Sequence, residues 1–320
     1  MNLTTLAKQI VYYSPKKLRH FLSEKVEQRK LMLAKKRMLR TVVGKDYVQS
    51  LIESLDLDCD VMLHTSMMSI GKMQIGVRGI CEALYRRIDL SRHTLLVPAQ
   101  PHRDDFRDYI NSHPTFDVRT TPVEADGIGE RISKMPVALR SLHPTHSVVA
   151  AGLESEYYTA GHELDRTPFG EHSPYRKLIE RGGKIVLFGA DLNNMTIVHA
   201  IEDMLGDAFP LQVYYPKTYE VECTDRDGRT VTVTTACHNM RLSIHRNLMR
   251  MYGEMKTAKV MQTYPLGESE LSVVDAAGFA RFYLEQLRKG RSMYGRIKTG
   301  ESLIRRIDEA ESSLLNAITE

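Results

Sequence analysis

Short apolar runs separated by amphipathic stretches set the pattern of this chain. Asp60–His64 (Asp-Val-Met-Leu-His), Thr94–Pro98 (Thr-Leu-Leu-Val-Pro), Ser147–Gly152 and Lys184–Gly189 are nearly continuous apolar runs of strand length. Bounded by polar and turn residues, such runs predict buried β-strands. Between them, helical spacing predicts helices over Asp46–Leu55, Arg78–Arg87, Ile128–Lys134, Tyr175–Arg181 and Thr196–Met204, the fourth ended by Gly182-Gly183. Residues 100–125 are rich in Pro, His and Asp and read as an irregular loop. After Tyr214 the pattern changes. Val- and Thr-rich Tyr219–Cys223 and Arg229–Thr235 flank Asp225-Arg226-Asp227-Gly228, a hairpin signal, and from Asp275 the chain reads as helical to its end. Strands alternating with helices predict an α/β body with an antiparallel hairpin excursion and a helical C-terminal tail.

The N-terminal stretch has a different character. Pro15 to Val43 has Leu18, Phe21, Leu22 and Val26 at helical spacing, with Lys and Arg between them. Residues 1–40 hold 11 Lys/Arg against 2 Asp/Glu, whereas the remaining 280 hold 33 against 38. The overall charge of +4 therefore belongs to a basic arm, and the body is mildly acidic. An acidic body disfavours nucleic acid as its partner and suits cationic ligands better than polyanions. Two readings of the arm stay open: contact with an anionic membrane surface, or an apolar stripe packed on the body or on a second copy in a homodimer. The domain reading is a basic helical extension over 1–44 and a catalytic-type domain over 45–320.

No apolar run approaches the roughly 18–20 residues that span a bilayer, and no secretory signal is expected from the arm. Cys59, Cys81, Cys223 and Cys237 form no Cys-x-x-Cys pair. Reduced thiols in the cytoplasm are the expectation. Phosphate-loop, dinucleotide and nucleophile-elbow motifs are absent. Seven of the 12 histidines lie between His102 and His199. The His143/His146 pair is interrupted by Pro144 and has no His-Glu-x-x-His context, so no metal is expected.

Candidate chemistry clusters at strand ends, where α/β proteins place ligands. His64-Thr65-Ser66 and Ser69-Ile70-Gly71 follow the first strand. Arg140-Ser141-Leu142-His143-Pro144 precedes the third, which begins at Ser147, and Gly170-Glu171-His172-Ser173-Pro174 precedes a helix. Asn194-Met195-Thr196-Ile197-Val198-His199-Ala200-Ile201-Glu202 follows the fourth strand. In this order and spacing, over about residues 60–205, the set resembles the aminoglycoside 3-N-acetyltransferase (antibiotic N-acetyltransferase) family. The Thr94–Pro98 strand, Phe116-Asp117, Thr121-Pro122, Gly127-Ile128-Gly129 and Ala150-Ala151-Gly152 extend the likeness.

The resemblance implies that family's α/β fold, with a central mixed sheet. It implies acetyl transfer from acetyl-CoA, as co-substrate, to a primary amine, usually on an amino sugar: aminoglycoside-like, nucleotide-linked or glycan. By position it makes His199 the catalytic base and places His64, Thr65, Ser66, Arg140, Ser141, His143 and Ser147 around acetyl-CoA. Glu202, Asp104 and Asp105 become candidates for holding the substrate ammonium. One departure stands out. Antibiotic-modifying members orient the catalytic histidine with a carboxylate after the hairpin. Here no Asp or Glu lies between Gly228 and Glu254, and Cys237, His238 and Asn239 are the candidate replacements. The alternative reading is therefore a catalytically altered member that binds or scaffolds.

Overall fold

In a computed structural model, residues 12–14, 16–102 and 105–319 are described. The elements run α1 (Lys16–Arg40), α2 (Lys45–Ser54), β1 (Val61–Thr65), α3 (Gly76–Ile88), β2 (Thr94–Pro98), α4 (Phe106–Ser112), β3 (Thr115–Asp117), α5 (Gly127–Ser133), β4 (Ala138–Arg140), β5 (Val148–Gly152), α6 (Ser155–Thr159), α7 (Pro174–Glu180), β6 (Lys184–Phe188), α8 (Val198–Leu205), β7 (Tyr214–Thr224), β8 (Thr230–His238), β9 (Met261–Leu266), β10 (Ser269–Asp275), α9 (Ala276–Arg288) and α10 (Glu301–Thr319), joined by short turns and 3-10 segments.

A seven-stranded mixed sheet has the order β9-β10-β6-β1-β2-β5-β4. Parallel neighbours occur only among β6, β1 and β2; β5 lies antiparallel to β2 and to β4, and β10 antiparallel to β6 and to β9. The strand alternation splits the core into two faces. Met62, Leu96, Ile185 and Leu187 pack with α7, α8, α9 and α10. Val61, Leu63, Leu95, Val186 and Phe188 pack with α2, α3 and α5. Each such fully buried aliphatic side chain contributes roughly 1.5–3 kcal/mol, so the sheet is a rigid platform for the loops at its edge.

The four predicted strands and five predicted helices form, with ends shifted by a few residues. Residues 100–125 are more ordered than expected. Asp105 caps α4, accepting from the Arg107 backbone N–H at 3.0 Å, and β3 adds to the hairpin in a three-stranded sheet of order β8-β7-β3. The hairpin is longer than expected, and a bulge between Ala236 and His238 interrupts its pairing. The strands β9 and β10 have no counterpart in the sequence reading. The tail is not continuously helical: between α9 and α10, Arg291–Ser292 pairs with Gly295–Arg296.

Helix α1 leaves Leu18, Phe21 and Val26 exposed, so among the described residues the body does not cover that stripe. The N-terminal stretch touches the body at several points: the Tyr12 and Tyr215 hydroxyls are 3.4 Å apart, Ala34 is buried, Arg40 and Thr41 are both bonded to Glu268, and Val42–Val43 pairs with Lys72–Met73. No described helix is long and apolar enough to cross a membrane.

Candidate active site

The C-terminal end of β6 and the loop into α8 carry His199 to the centre of a sealed network. His199 is 3% exposed and Glu202, one turn later on the same helix face, 2%. Nδ1 of His199 and Oε2 of Glu202 are 2.8 Å apart. On the other side of the ring, Nη1 of Arg246 lies 3.2 Å from Nε2. A guanidinium can only donate, so Nε2 must accept, and the ring proton sits on Nδ1 and donates to Glu202. One tautomer is thereby selected, with its lone pair on Nε2.

Glu202 also accepts from Tyr283 at 3.4 Å and Tyr294 at 3.3 Å. Burial pushes its carboxyl up to about 8, while Arg246 and the two tyrosine hydroxyls pull it back. Burial, and then Arg246, hold His199 well below the usual imidazole value. Next door, Asp203 accepts from Thr167 at 2.6 Å, and burial pushes it up to about 7.

Distant segments converge here. Tyr283 comes from α9, and Tyr294 from the paired turn that interrupts the tail. The Met293 N–H donates to the Tyr283 hydroxyl at 3.2 Å. Arg246 is held by two flanking anchors: the Asn247 N–H donates to Met293 O at 2.9 Å, and the Leu248 N–H to Asn193 Oδ1 at 2.9 Å. The bulge in β8 aims His238 inward. Its ring lies 4.3 Å from that of His199 and stacks on Tyr214 at 4.9 Å.

The hidden polar atoms at this place are poorly matched. Nε2 of His64, Nε2 of His238 and Nε of Arg246 are shut off from solvent and have no hydrogen-bond partner. Groups of this kind are normally paired in folded proteins, so their concentration around one histidine marks a place where polar partners arrive from outside.

A second network, a few ångströms away, is closed. The Ser141 hydroxyl accepts from the Val148 N–H at 2.9 Å and donates to Nδ1 of His162 at 2.8 Å, whose Nε2 donates to Pro168 O at 2.9 Å. His143 stacks on His162 at 4.5 Å; its Nδ1 accepts from the Thr145 and His146 N–H groups, and its Nε2 donates to Thr235 at 3.2 Å. Arg140 donates to the Ser147 hydroxyl at 3.0 Å, to Ala99 O at 2.7 Å and to Thr121 O, with its guanidinium over the Phe116 ring.

The residues expected around acetyl-CoA therefore divide. Thr65 and Ser66 are half-buried at the end of β1, with Ser66 Oγ 2.7 Å from Ser69 Oγ. Gly189 keeps that end tight: its φ is +70°, and a Cβ there would lie 2.8 Å from Ser66 O. His64 is buried in the His199 cluster, and burial pushes it down to about 3. Ser141, His143 and Ser147 are sealed, and Arg140, half-buried, donates once from each of its three nitrogens to main-chain and serine oxygens.

The carboxylates expected to hold an ammonium also change role. Glu202 is internal and orients His199. Asp105 caps α4 and pairs with the Arg107 side chain. Asp104 lies outside the described residues. Of the three replacements for the missing carboxylate, only His238 contacts His199. Cys237 packs in the hairpin core with its thiol pushed up to about 12 by burial, and Asn239 caps the following turn by accepting from the Arg241 N–H. Glu202 supplies the carboxylate instead. Sequence reasoning missed Arg246, Tyr283 and Tyr294. Among the described residues no three metal-ligating side chains converge. A groove of about 800 Å³ runs past Arg119, Arg140, Glu163 and Arg226 and includes none of the groups that touch His199.

The sequence profile of aminoglycoside 3-N-acetyltransferase matches residues 62–288, a span that contains His199, Glu202, Arg246 and Tyr283 and ends before Tyr294. The chain belongs to the aminoglycoside 3-N-acetyltransferase family. It is 30% identical over 185 residues to aminoglycoside N(3)-acetyltransferase III of Pseudomonas aeruginosa, covering 54% of this chain and 66% of that protein. It is 32% identical over 163 residues to aminoglycoside N(3)-acetyltransferase VII of Streptomyces paromomycinus, covering 46% and 55%. The chain thus spans about two thirds or less of the length of these relatives. Among solved structures, aminoglycoside acetyltransferase AAC(3)-Xa superposes with a TM-score of 0.60 at 23% identity, covering 80% of this chain and 95% of that one. The binary complex of AAC-IIIb with CoASH gives 0.61 at 24%, covering 78% and 97%. These likenesses establish the fold of the family, including its mixed sheet.

Proposed function

We propose that this chain transfers the acetyl group of acetyl-CoA to a primary amine, on an amino sugar. Membership of the family supports the reaction class. The observation that carries the reading is His199, fixed in one tautomer by Glu202 and ringed by hidden polar atoms that lack partners. In this mechanism Nε2 of His199 takes a proton from the acceptor ammonium once Arg246 has moved off it. The freed amine attacks the thioester carbonyl, a C–N bond forms, and the C–S bond breaks. The proton held on Nε2 passes to the departing thiolate, and the second proton on the attacking nitrogen is lost to water as the amide forms. Glu202 stabilises the imidazolium and keeps the ring aligned. Thr65 and Ser66, at the open end of β1, would hold the acyl donor.

A screen of thiol release from acetyl-CoA against primary amines, with mass spectrometry of the acceptor, tests this. The expected result is an acetylated amine, formed by wild type and not by His199→Ala. Thiol release that persists in His199→Ala would overturn the role of His199. The alternative reading, a member that binds acetyl-CoA without transferring it, is favoured by Arg246 covering Nε2; binding without release from any amine would support it.

The finer surroundings belong to the same reading. Basic α1, with Leu18, Phe21, Met32 and Leu39 exposed among its lysines and arginines, suits an anionic membrane surface better than a second copy, because like charges would meet in a homodimer. Sedimentation with anionic vesicles tests it, loss of binding on deleting residues 1–39 being expected. The unpaired cysteines suit the cytoplasm, where acetyl-CoA is available.

A further inference from the structure

Arg246 stands where an acceptor ammonium would have to stand. Its Nη1 donates to Nε2 of His199, the lone pair that the reaction needs, and Nη2 donates to Met195 O at 3.1 Å. Its Nε is hidden and has no partner. The residue is only partly buried, whereas His199 and Glu202 beneath it are sealed. Tyr214, His238 and Tyr294 of the same network are partly buried too, and among these Arg246 alone carries a permanent positive charge.

The carboxylates around it are already engaged. Glu202 is committed to His199 and two tyrosines, Asp203 accepts from Thr167, and Asp191, whose charge reaches Arg246, accepts from Asn193 and Asn194. A second cation brought beside Arg246 would meet like charge in a place with little water. An acceptor with an anionic group near its amine would instead pair with the guanidinium, whose Nε lacks a partner and which matches phosphate or carboxylate in a two-pronged fork.

We propose that Arg246 is a specificity-determining residue that selects acceptors carrying a phosphate or carboxylate beside the amine. The anion draws the guanidinium off His199, so recognition of the anion uncovers the base. In the uncovered site the ammonium proton passes to Nε2, and the amine is free to attack. This inference rests on the transferase reading of the same site, but its binding step does not require turnover.

The test uses the full chain with α-D-glucosamine 1-phosphate, whose phosphate is on the carbon next to the amine, methyl α-D-glucosaminide and the polycation gentamicin, in wild type, Arg246→Gln and Arg246→Lys. Calorimetric titration without acetyl-CoA is expected to show the phosphate-bearing sugar bound at least tenfold more tightly than the other two. That preference is lost in Arg246→Gln and partly restored in Arg246→Lys. In thiol-release kinetics, the ratio of kcat/KM for phosphate-bearing over neutral sugar falls at least tenfold in Arg246→Gln, mainly through KM. Three results would overturn the proposal: equal binding of the three probes, no binding of the phosphate-bearing sugar, or a loss of kcat in Arg246→Gln equal for all acceptors, which would put the residue on the reacting carbonyl. Anion-dependent binding with no thiol release from any acceptor would support the anion site and count against the transferase reading alone.

Discussion

Two histidine networks lie side by side in this protein and have opposite accounts with their surroundings. In one, the ring nitrogens of His143 and His162 and the Ser141 hydroxyl are all bonded to main-chain or side-chain partners. In the other, His199 and Glu202 are tightly paired, while His64, His238 and Arg246 around them hold hidden atoms with no partner. Ser141 and His143 in the first, and His64, His199 and Glu202 in the second, come from the motifs that carry the family resemblance, and all five are buried. What separates a structural histidine from a chemical one here is whether the surrounding polar groups are satisfied, because an unpaired buried donor or acceptor costs about 1–3 kcal/mol and persists only where something else sustains it.

Substitutions at matching positions sharpen this contrast. The largest effect is expected from His199→Ala: thiol release from acetyl-CoA falls roughly 10²–10⁴-fold, the usual contribution of a positioned base, while the melting temperature changes little. Next comes Glu202→Gln, which keeps an acceptor for Nδ1 but removes the charge; kcat falls on the order of 10²-fold or more, by analogy with other carboxylate-oriented histidines. His162→Ala breaks the comparison in the other direction. It strands the Ser141 hydroxyl and the Pro168 carbonyl, costs about 1–3 kcal/mol per group, and leaves kcat of the folded protein intact. A loss of activity in His162→Ala equal to that in His199→Ala would abolish the distinction.

The smallest effects are in pH dependence, and the two networks carry opposite signs. Burial depresses His162 to about 3 from its ordinary 6.5. Its stabilising contribution is therefore present above pH 6.5 and is lost as pH falls towards 3. Burial raises Glu202 to about 8 from 4.5 and Asp203 to about 7 from 3.8. Their contribution is present below pH 4 and is lost as pH rises through 7 and 8. Thermal melts from pH 4 to 9 are expected to show Glu202→Gln flattening the alkaline decline and His162→Ala flattening the acid one. A Glu202→Gln variant with an unchanged alkaline limb would refute the assignment.

Much of this was legible in the sequence. The β1, β2, β5 and β6 runs are apolar enough to declare buried strands, and the three-residue spacing of His199 and Glu202 put them on one helix face. The role of Glu202 was not legible, because spacing does not say whether a carboxylate turns outward to an ammonium or inward to a ring. Strands β9 and β10 were missed because Gln262, Tyr264 and Pro265 interrupt the apolar pattern of an edge strand that needs only one buried face. Arg246 had no signal at all: its place is set by bonds from its neighbours to Asn193 and Met293, dozens of residues away. The break in the tail was concealed by helical residues on both sides of Gly290, although that break delivers Tyr294 to the site.

A crystal structure of the full chain with CoA tests the central claim most directly, since it requires no knowledge of the acceptor. The account predicts the CoA sulfur beside His199, with Thr65 and Ser66 along the donor and with partners found for the open atoms of His64, His238 or Arg246. CoA lodged instead in the groove beside Arg119 and Arg226, with His199 still sealed beneath Arg246, would contradict it.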